Sequence, residues 1–305
     1  MQERIDQCVS EIAGVLLGKE HQIKLALCAL FSRGHLLIED LPGMGKTTLA
    51  HALSKALGLA FNRVQFTSDM LPGDIVGVSI FDQKDGSFRF HPGPVFTEVL
   101  LADEINRSTP KTQSALLEAM AERQVTVEGQ TRPLPAEFFV IATQNPTTQA
   151  GTFPLPESQL DRFLMRIEIG YPERAAERAM LEGRGGSTSV DSVQTVIDKS
   201  LLGQIHQQAQ CVMVSDLLLD YVQRLTDFTR SQAEFAYGLS PRGALALVSS
   251  ARTWALMEGR NHAVPEDVQA VLPAVAGHRL RSVGEFGGDG RALVDHLLRQ
   301  VDIFG

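Results

Sequence analysis

One stretch of ten residues combines two glycines, a lysine and two threonines in a fixed order: Glu39-Asp40-Leu41-Pro42-Gly43-Met44-Gly45-Lys46-Thr47-Thr48. An apolar run precedes this stretch, and a helical pattern of apolar residues follows it. A glycine-rich loop between a strand and a helix can turn backbone N–H groups toward an anion, and the helix N-terminus adds the positive end of its dipole. The Lys46 ammonium can then reach the β- and γ-phosphates of a nucleotide, and the Thr47 hydroxyl can ligate Mg²⁺. The stretch therefore predicts a phosphate-binding loop.

The loop departs at one position from the strict pattern Gly-x4-Gly-Lys-[Ser/Thr], because this chain has Asp40 where the pattern has its first glycine. The pair Pro42-Gly43 can supply the tight turn instead. An ordinary Gly/Pro turn before a helix is the alternative. The position of Gly-Lys-Thr-Thr at a strand-to-helix junction argues against that alternative. The predicted nucleotide-binding residues of the loop are Pro42, Gly43, Met44, Gly45, Lys46, Thr47 and Thr48.

Two adjacent carboxylates, Asp103 and Glu104, end the apolar run Val99–Ala102. A short apolar run of this kind is typical of a strand buried on both faces, and ligands of parallel α/β sheets bind at the edge where such strands end. In this position Asp103 would hold Mg²⁺ through water, and Glu104 would position and polarise the attacking water. Taken alone, the pair is a weak signal and is more often a strand-end cap. Together with the lysine loop it predicts the hydrolytic half of a nucleotide site.

Three further polar residues stand at the ends of predicted elements. Asn145 follows the apolar run Phe138–Thr143; alone it is typical of a turn, but beside the other motifs it predicts a contact to the γ-phosphate or the lytic water. Arg162 precedes another apolar segment, where a salt bridge to Asp161 or to a helix end is the simplest role. Arg242 lies in the first turn of a predicted helix, where the dipole does not favour a cation; this suggests an anionic partner, but an ordinary surface arginine is the more common case.

Alternating strands and helices must hold these residues. Short apolar runs separated by helical patterns predict an α/β fold with five strands, at about residues 36–38, 61–66, 99–102, 138–143 and 163–169. Two segments in which apolar residues alternate around a turn predict β-hairpin insertions, at about 76–92, with an Asp85-Gly86 turn, and at 122–135.

Both ends of the chain are predicted to be helical. The first thirty residues predict two helices, and the break Val15–Lys19 between them either packs in the core or forms an apolar seat for a nucleotide base, with Gly18 as a nucleotide contact. Residues 1–183 thus predict a nucleotide-binding domain, and the Gly/Ser-rich residues 184–192 predict a flexible linker. Everything from 193 to 305 is predicted to be a helical domain, with helices at about 200–209, 216–230, 241–258, 265–275 and 290–300.

The composition is that of an ordinary globular protein, with 305 residues, 44% hydrophobic and 21% charged. The net charge of −8 argues against a general nucleic-acid grip, which relies on a basic surface. Three cysteines without a Cys-x-x-Cys motif argue against a zinc site or a disulfide framework and favour a reducing compartment. Met1–Asp6 is polar, so no signal peptide is expected, and no apolar run is long enough to span a membrane. A cytoplasmic location is the resulting expectation.

The ordered set of motifs resembles the AAA+ ATPase module, and more narrowly the MoxR-type ATPases. The resemblance runs from about Ile12 to Leu298 and is carried by five segments: 35–47, 101–107, Ala142-Thr143-Gln144-Asn145-Pro146, Leu160-Asp161-Arg162-Phe163 and Leu239-Ser240-Pro241-Arg242. It implies a three-layer αβα core with a five-stranded parallel sheet, followed by an all-α lid. An acidic residue at the position of Asp40 looks tolerated in this family.

The resemblance also assigns roles. Lys46 and Thr47 match the Walker A motif, and Asp103 and Glu104 match Walker B, with ATP and Mg²⁺ as the implied ligands. Asn145 matches sensor 1. On the lid, Arg242 matches sensor 2. Arg162 matches the arginine finger, which acts on the nucleotide of the next subunit and thus implies a homo-oligomeric ring, in this family a hexamer.

The resemblance further implies a chaperone-like remodeller that acts in maturation, assembly or metal-cofactor insertion of a client protein complex. Its two hairpin insertions would touch the client, and a separate protein with a von Willebrand factor A domain would be its partner. The alternatives are a magnesium-chelatase-like ATPase subunit, a nucleic-acid motor of the same clade, which the acidic charge disfavours, and a nucleotide-gated binding module without turnover.

Overall fold

Helices and strands alternate along the first 181 residues of the computed structural model, which describes residues 1–84, 86–145, 152–182, 189–283 and 290–303. Asp85 of the first predicted turn, Pro146 after Asn145 and residues 184–188 of the predicted linker lie outside these ranges. The elements are α1 (Gln2–Ala13), α2 (Glu20–Phe31), β1 (Leu36–Glu39), α3 (Lys46–Ala56), β2 (Phe61–Gln65), α4 (Pro72–Val76), β3 (Gly77–Asp82), β4 (Ser87–Pro92), β5 (Val99–Asp103), α5 (Pro110–Glu122), β6 (Gln124–Val127), β7 (Gln130–Pro133), β8 (Phe139–Gln144), α6 (Glu157–Leu160), β9 (Met165–Ile167) and α7 (Arg174–Leu181).

Five of these strands form one parallel sheet in the order β2-β5-β8-β1-β9. Side chains alternate between its two faces, as the period of two along a strand requires. Leu36 and Ile38 of β1 join an apolar cluster with α1, α2 and α3, whereas Leu37 joins a second cluster with α5 on the opposite face. The sheet with helices on both faces confirms the predicted α/β fold.

Two antiparallel hairpins stand apart from this sheet, one formed by β3 and β4 and the other by β6 and β7. In the second hairpin, two residues with positive φ, Glu128 and Gly129, connect the strands. Two such residues match the twist of a tight hairpin turn. The hairpins touch where the guanidinium of Arg132 lies 4.0 Å from the ring centre of Phe90.

The C-terminal part is mainly helical, and its helices α8 and α10 pack against α2 of the first part. It contains α8 (Lys199–Cys211), α9 (Asp216–Ser231), β10 (Phe235–Tyr237), α10 (Pro241–Met257), α11 (Pro265–Ala276), β11 (Arg281–Ser282) and α12 (Gly290–Gln300).

Two details of the C-terminal part differ from expectation. The C-terminal domain is helical as predicted but not all-α, because β10 and β11 pair antiparallel; strands of three and two residues are too short to show a periodic pattern. The end of the predicted flexible linker is also ordered: Val190–Ser192 forms a 3₁₀ helix, and Asp191 pairs with Lys55 of α3 at 2.8 Å.

Candidate functional site

The glycine-rich loop has the backbone that phosphate binding requires. Gly43 and Gly45 adopt φ values of +86° and +90°, which side-chain-bearing residues rarely adopt. A Cβ added to Gly45 would lie 2.8 Å from the side chain of Leu16, whereas one added to Gly43 would meet nothing within 4 Å. Helix α3 begins at Lys46, directly after this turn. The loop is therefore packed against the chain on one side and open on the other, with a helix N-terminus behind it.

The ammonium of Lys46 bridges the loop and the sheet. Its Nζ donates to the main-chain oxygen of Asp40 at 2.6 Å and to Oδ1 of Asn145 at 3.0 Å. Burial lowers the pKa of Lys46, and the nearby carboxylates of Asp40, Asp103 and Glu104 oppose that effect. Both hydrogen-bond acceptors are neutral, so this buried cation has no carboxylate within salt-bridge distance in the part of the chain that the structure describes. An anionic phosphate group would supply a direct anionic partner.

Asp103 and Glu104 meet the residues of neighbouring strands at the carboxyl edge of the sheet. Asp103 accepts from the Thr143 hydroxyl at 2.6 Å and from Nη2 of Arg63 at 2.6 Å. Glu104 adopts a φ of +55° and accepts from Nδ2 of Asn145 at 2.9 Å and from Nε2 of Gln65 at 2.6 Å. Each carboxylate is therefore held by two neighbouring strands, so its orientation is fixed before any ligand arrives.

These groups surround one cleft of about 380 Å³. The cleft offers open loop backbone, a buried ammonium, a helix-terminal hydroxyl and two carboxylates, which are the groups that a nucleotide phosphate and its Mg²⁺ need. The donor set thus fits both ligands, with Thr47 and Asp103 as the metal candidates. The residues that line the cleft are Pro42, Gly43, Gly45, Lys46, Thr47, Thr48, Arg63, Gln65, Asp103, Glu104 and Asn145.

Four of the residues proposed from sequence are not among those lining the cleft. Met44 packs partly buried against the apolar core. Gly18 adopts a φ of +67°, and a Cβ there would lie 3.1 Å from that of Ala176 in α7. Arg162 donates to the Leu117 carbonyl of α5 at 2.9 Å, and Arg242 on α10 lies 3.8 Å from Asp161. The simplest role predicted for Arg162 was a salt bridge to Asp161 or to a helix end; Arg162 instead donates to a carbonyl within helix α5, and Asp161 pairs with Arg242 and Arg279.

The carboxylate of Asp40 faces the backbone rather than the cleft. One oxygen accepts the N–H of Leu41 at 2.7 Å, and the other accepts those of Ile169 and Gly170 at 2.8 and 2.7 Å. The side chain thus ties the phosphate loop to the chain that follows β9. Because the Asp40 carboxylate binds backbone N–H groups outside the cleft, an acidic residue is compatible with a loop that binds phosphate.

Four residues that hold the carboxylates were missed as site residues from sequence: Arg63, Gln65, Arg107, which lies 3.1 Å from Glu104, and Thr143. The sequence carried a signal for Arg63 and Gln65. These two polar residues are two positions apart near the end of the predicted strand β2, so their side chains lie on the same face of the sheet. Gln65 is in register with Asp103 on the neighbouring strand. Only the sheet order, which the sequence does not reveal, shows that β2 and β5 are neighbours.

Comparison with known proteins agrees with this geometry. Residues 35–165 match the family described as "ATPase family associated with various cellular activities (AAA)", and residues 227–297 match the AAA lid domain. The chaperone MoxR1 of Mycobacterium tuberculosis is 39% identical over 285 residues, which cover 90% of this chain and 75% of that protein. The chain belongs to the MoxR-type AAA+ ATPases.

Two other matches cover nearly the whole of this MoxR-type chain. YeaC of Bacillus subtilis is 41% identical over 302 residues, which cover 98% of this chain and 94% of that protein. A crystal structure of a Cytophaga hutchinsonii protein, whose description proposes an ATPase, superposes with a TM-score of 0.88 and 35% identity over 99% of this chain and 95% of the other. The predicted AAA+ core with a helical lid is confirmed. Among the described residues, no helix has the length and apolar character needed to cross a bilayer.

Proposed function

We propose that this MoxR-type protein hydrolyses ATP to ADP and phosphate with Mg²⁺ at the cleft around Lys46. One observation carries the proposal: Lys46, Asp103, Glu104 and Asn145, which three separate sequence motifs supply, surround a single cleft and are hydrogen-bonded to one another or to shared neighbours. Phosphoryl transfer depends mainly on positioning and charge neutralisation, and these are what such a constellation provides.

Each side chain has a distinct task in this proposal. Lys46 neutralises the β- and γ-phosphates, and Glu104 accepts the proton of the attacking water. Asn145 and Gln65 fix the orientation of the Glu104 carboxylate. Thr47 and Asp103 would hold Mg²⁺, which when bound neutralises phosphate charge. Arg63, which lies 2.6 Å from Asp103 in this structure, would share that carboxylate with the metal or its water shell.

The site is completed by a second subunit in this proposal. Arg162 does not line the cleft of its own chain, and its guanidinium is anchored on the Leu117 carbonyl. As the arginine finger of the family it would act on the nucleotide of a neighbour in a homo-oligomeric ring, which this family forms as a hexamer. Arg242 would act from the lid of the subunit that binds the nucleotide.

We extend the proposal to a chaperone-like remodelling role. A relative with 39% identity carries the name chaperone, and the first hairpin exposes apolar residues that a client surface would cover. Phe81 and Phe88 pair edge-to-face near the turn of this hairpin and are 51% and 69% exposed. An exposed aromatic pair on a projecting hairpin is typical of a protein-interaction site.

The test is steady-state ATP hydrolysis with and without Mg²⁺. Lys46→Ala should lose nucleotide binding, and Glu104→Gln should bind ATP but turn it over at least 100-fold more slowly. The matched control is Lys55→Ala on the same helix, whose ammonium pairs with Asp191 at the surface, and it should hydrolyse ATP like the wild type. Hydrolysis that survives Glu104→Gln, or that needs no divalent metal, would overturn the proposal.

A further inference from the structure

Asp161, the residue directly before Arg162, faces the lid. Nε of Arg279, which follows α11, donates to Oδ1 of Asp161 at 2.7 Å. The hydroxyl of Ser240, at the start of α10, lies 3.3 Å from Oδ2. Nη1 of Arg242 lies 3.8 Å from the same Oδ2. A single carboxylate therefore holds two lid arginines, one tightly and one loosely.

Arg279 also grips the backbone that follows Arg162. Its side chain is only 4% exposed and donates to the carbonyls of Asp161, Phe163 and Leu164 at 3.3, 2.7 and 3.1 Å, and to that of Val275 on the lid. The neighbouring His278 places its Nε2 3.1 Å from the Phe163 carbonyl. The lid thus holds three carbonyls within a four-residue segment that also contains Arg162.

This grip is rigid on the lid side. Burial lowers the pKa of Arg279, and its hydrogen bond and attraction to Asp161 oppose the shift. A buried guanidinium is tolerated only with such a full set of partners. A Cβ added to Gly243 in the first turn of α10 would lie 3.1 Å from Cδ of Arg279, so α10 packs directly on this side chain. The start of α10, which carries Arg242, is therefore in direct contact with Arg279.

We propose that Asp161 and Arg279 are positioning residues that couple the lid of a subunit to the Arg162 that it presents to its neighbour. The inference rests on the proposed function of Arg162 and Arg242. The loosely held Arg242, which is 64% exposed, is free to exchange Asp161 for the terminal phosphate of its own nucleotide. The tightly held Arg279 stays on the segment 161–164 and carries the lid displacement to Arg162. The nucleotide state of one subunit then sets hydrolysis in the next.

Mixed rings test this coupling. Glu104→Gln subunits have an inactive site but an intact Arg162, and Arg162→Ala subunits have the opposite defect. An equimolar mixture of these two should regain ATP hydrolysis, which calibrates the assay. Arg279→Ala alone should lose about 100-fold in turnover, the effect of a misplaced group, while its Kd for a fluorescent ATP analogue stays within threefold. Mixed with Glu104→Gln, it should regain turnover to the level of the calibrating mixture.

The outcomes separate the two claims. If the Arg162→Ala mixture does not recover, the action of Arg162 on a neighbouring subunit is wrong. If that mixture recovers and the Arg279→Ala mixture does not, Arg279 serves its own site and the coupling is wrong. Arg279→Lys retains the positive charge but lacks the planar guanidinium with its several N–H donors, so it should behave like Arg279→Ala. It provides a second variant if the alanine replacement impairs folding. Arg281→Ala, which removes a partly exposed ion pair with Glu157, is the matched control and should act like the wild type.

Discussion

The replacement Asp40→Asn should destabilise the protein without strengthening nucleotide binding. The carboxylate accepts three backbone N–H groups, and two of them, on Ile169 and Gly170, belong to a distant part of the chain. An asparagine keeps one acceptor oxygen and turns an NH₂ group toward a backbone N–H on the other side. At least one charge-assisted hydrogen bond between the carboxylate and a backbone N–H is therefore lost, and the new NH₂ group faces a backbone N–H that has no acceptor.

The magnitude follows from these bonds. A hydrogen bond to a charged group contributes about 1.5–3 kcal/mol, and a buried N–H left without an acceptor costs a similar amount. We therefore expect Asp40→Asn to lower the free energy of unfolding by about 2–3 kcal/mol. Because the carboxylate is occupied by backbone N–H groups and does not line the cleft, its neutralisation should leave the affinity for ATP unchanged, or weaken it through a less ordered loop.

Urea denaturation and titration with a fluorescent ATP analogue measure the two effects. The control is Asp82→Asn on the first hairpin, where the carboxylate accepts one N–H at the surface and pairs loosely with Arg89. That change should cost no more than about 0.5 kcal/mol. The reasoning is refuted if Asp40→Asn is as stable as the wild type and binds ATP more tightly, since that would mean that the carboxylate repels the phosphates.

Three other predictions concern single side chains. Asn145→Ala should lower kcat about 100-fold by releasing Glu104 and Lys46, whereas the exposed Asn62→Ala should not; equal kcat values for the two variants would be contrary to the account. Burial lowers the pKa of His35 from 6.5 to about 4, so as the pH falls the imidazole is protonated in the unfolded chain before it is protonated in the folded protein. The free energy of unfolding should therefore fall by about 3 kcal/mol between pH 6.5 and pH 4. Denaturation curves should show a smaller loss over this pH range in His35→Asn. Of the three cysteines only Cys211 is exposed, so Ellman's reagent should titrate one thiol per folded chain and none in Cys211→Ser; a second fast thiol would contradict the burial of Cys8 and Cys28.

The parts of the site that could be predicted are those encoded by local sequence. A glycine-rich loop must lie between a strand and a helix to bind phosphate, so Gly43, Gly45 and Lys46 were recognisable from their order. Asp103 and Glu104 were recognisable because buried strands read as unbroken apolar runs, and whatever ends such a run lies at the ligand edge of the sheet. The same logic predicted the five-stranded sheet.

The missing parts depend on contacts between distant segments. Arg279 meets Asp161 across 118 residues, and nothing near either residue indicates the pairing. The anchoring of Asp40 on Ile169 and Gly170 is equally non-local. Strands β10 and β11 exist only because two short extended segments pair with each other, so tertiary contact, rather than local pattern, forms them.

The most direct test of the central claim is ATP turnover per subunit as a function of protein concentration, with Mg²⁺ present and oligomeric state followed by sedimentation. The proposed shared site predicts that turnover per subunit rises as the protein assembles. It also predicts that Glu104→Gln and Arg162→Ala both lose turnover while they still bind ATP. Turnover that is the same for monomer and assembly, or an Arg162→Ala variant that hydrolyses ATP like the wild type, would contradict a site completed by a neighbouring subunit.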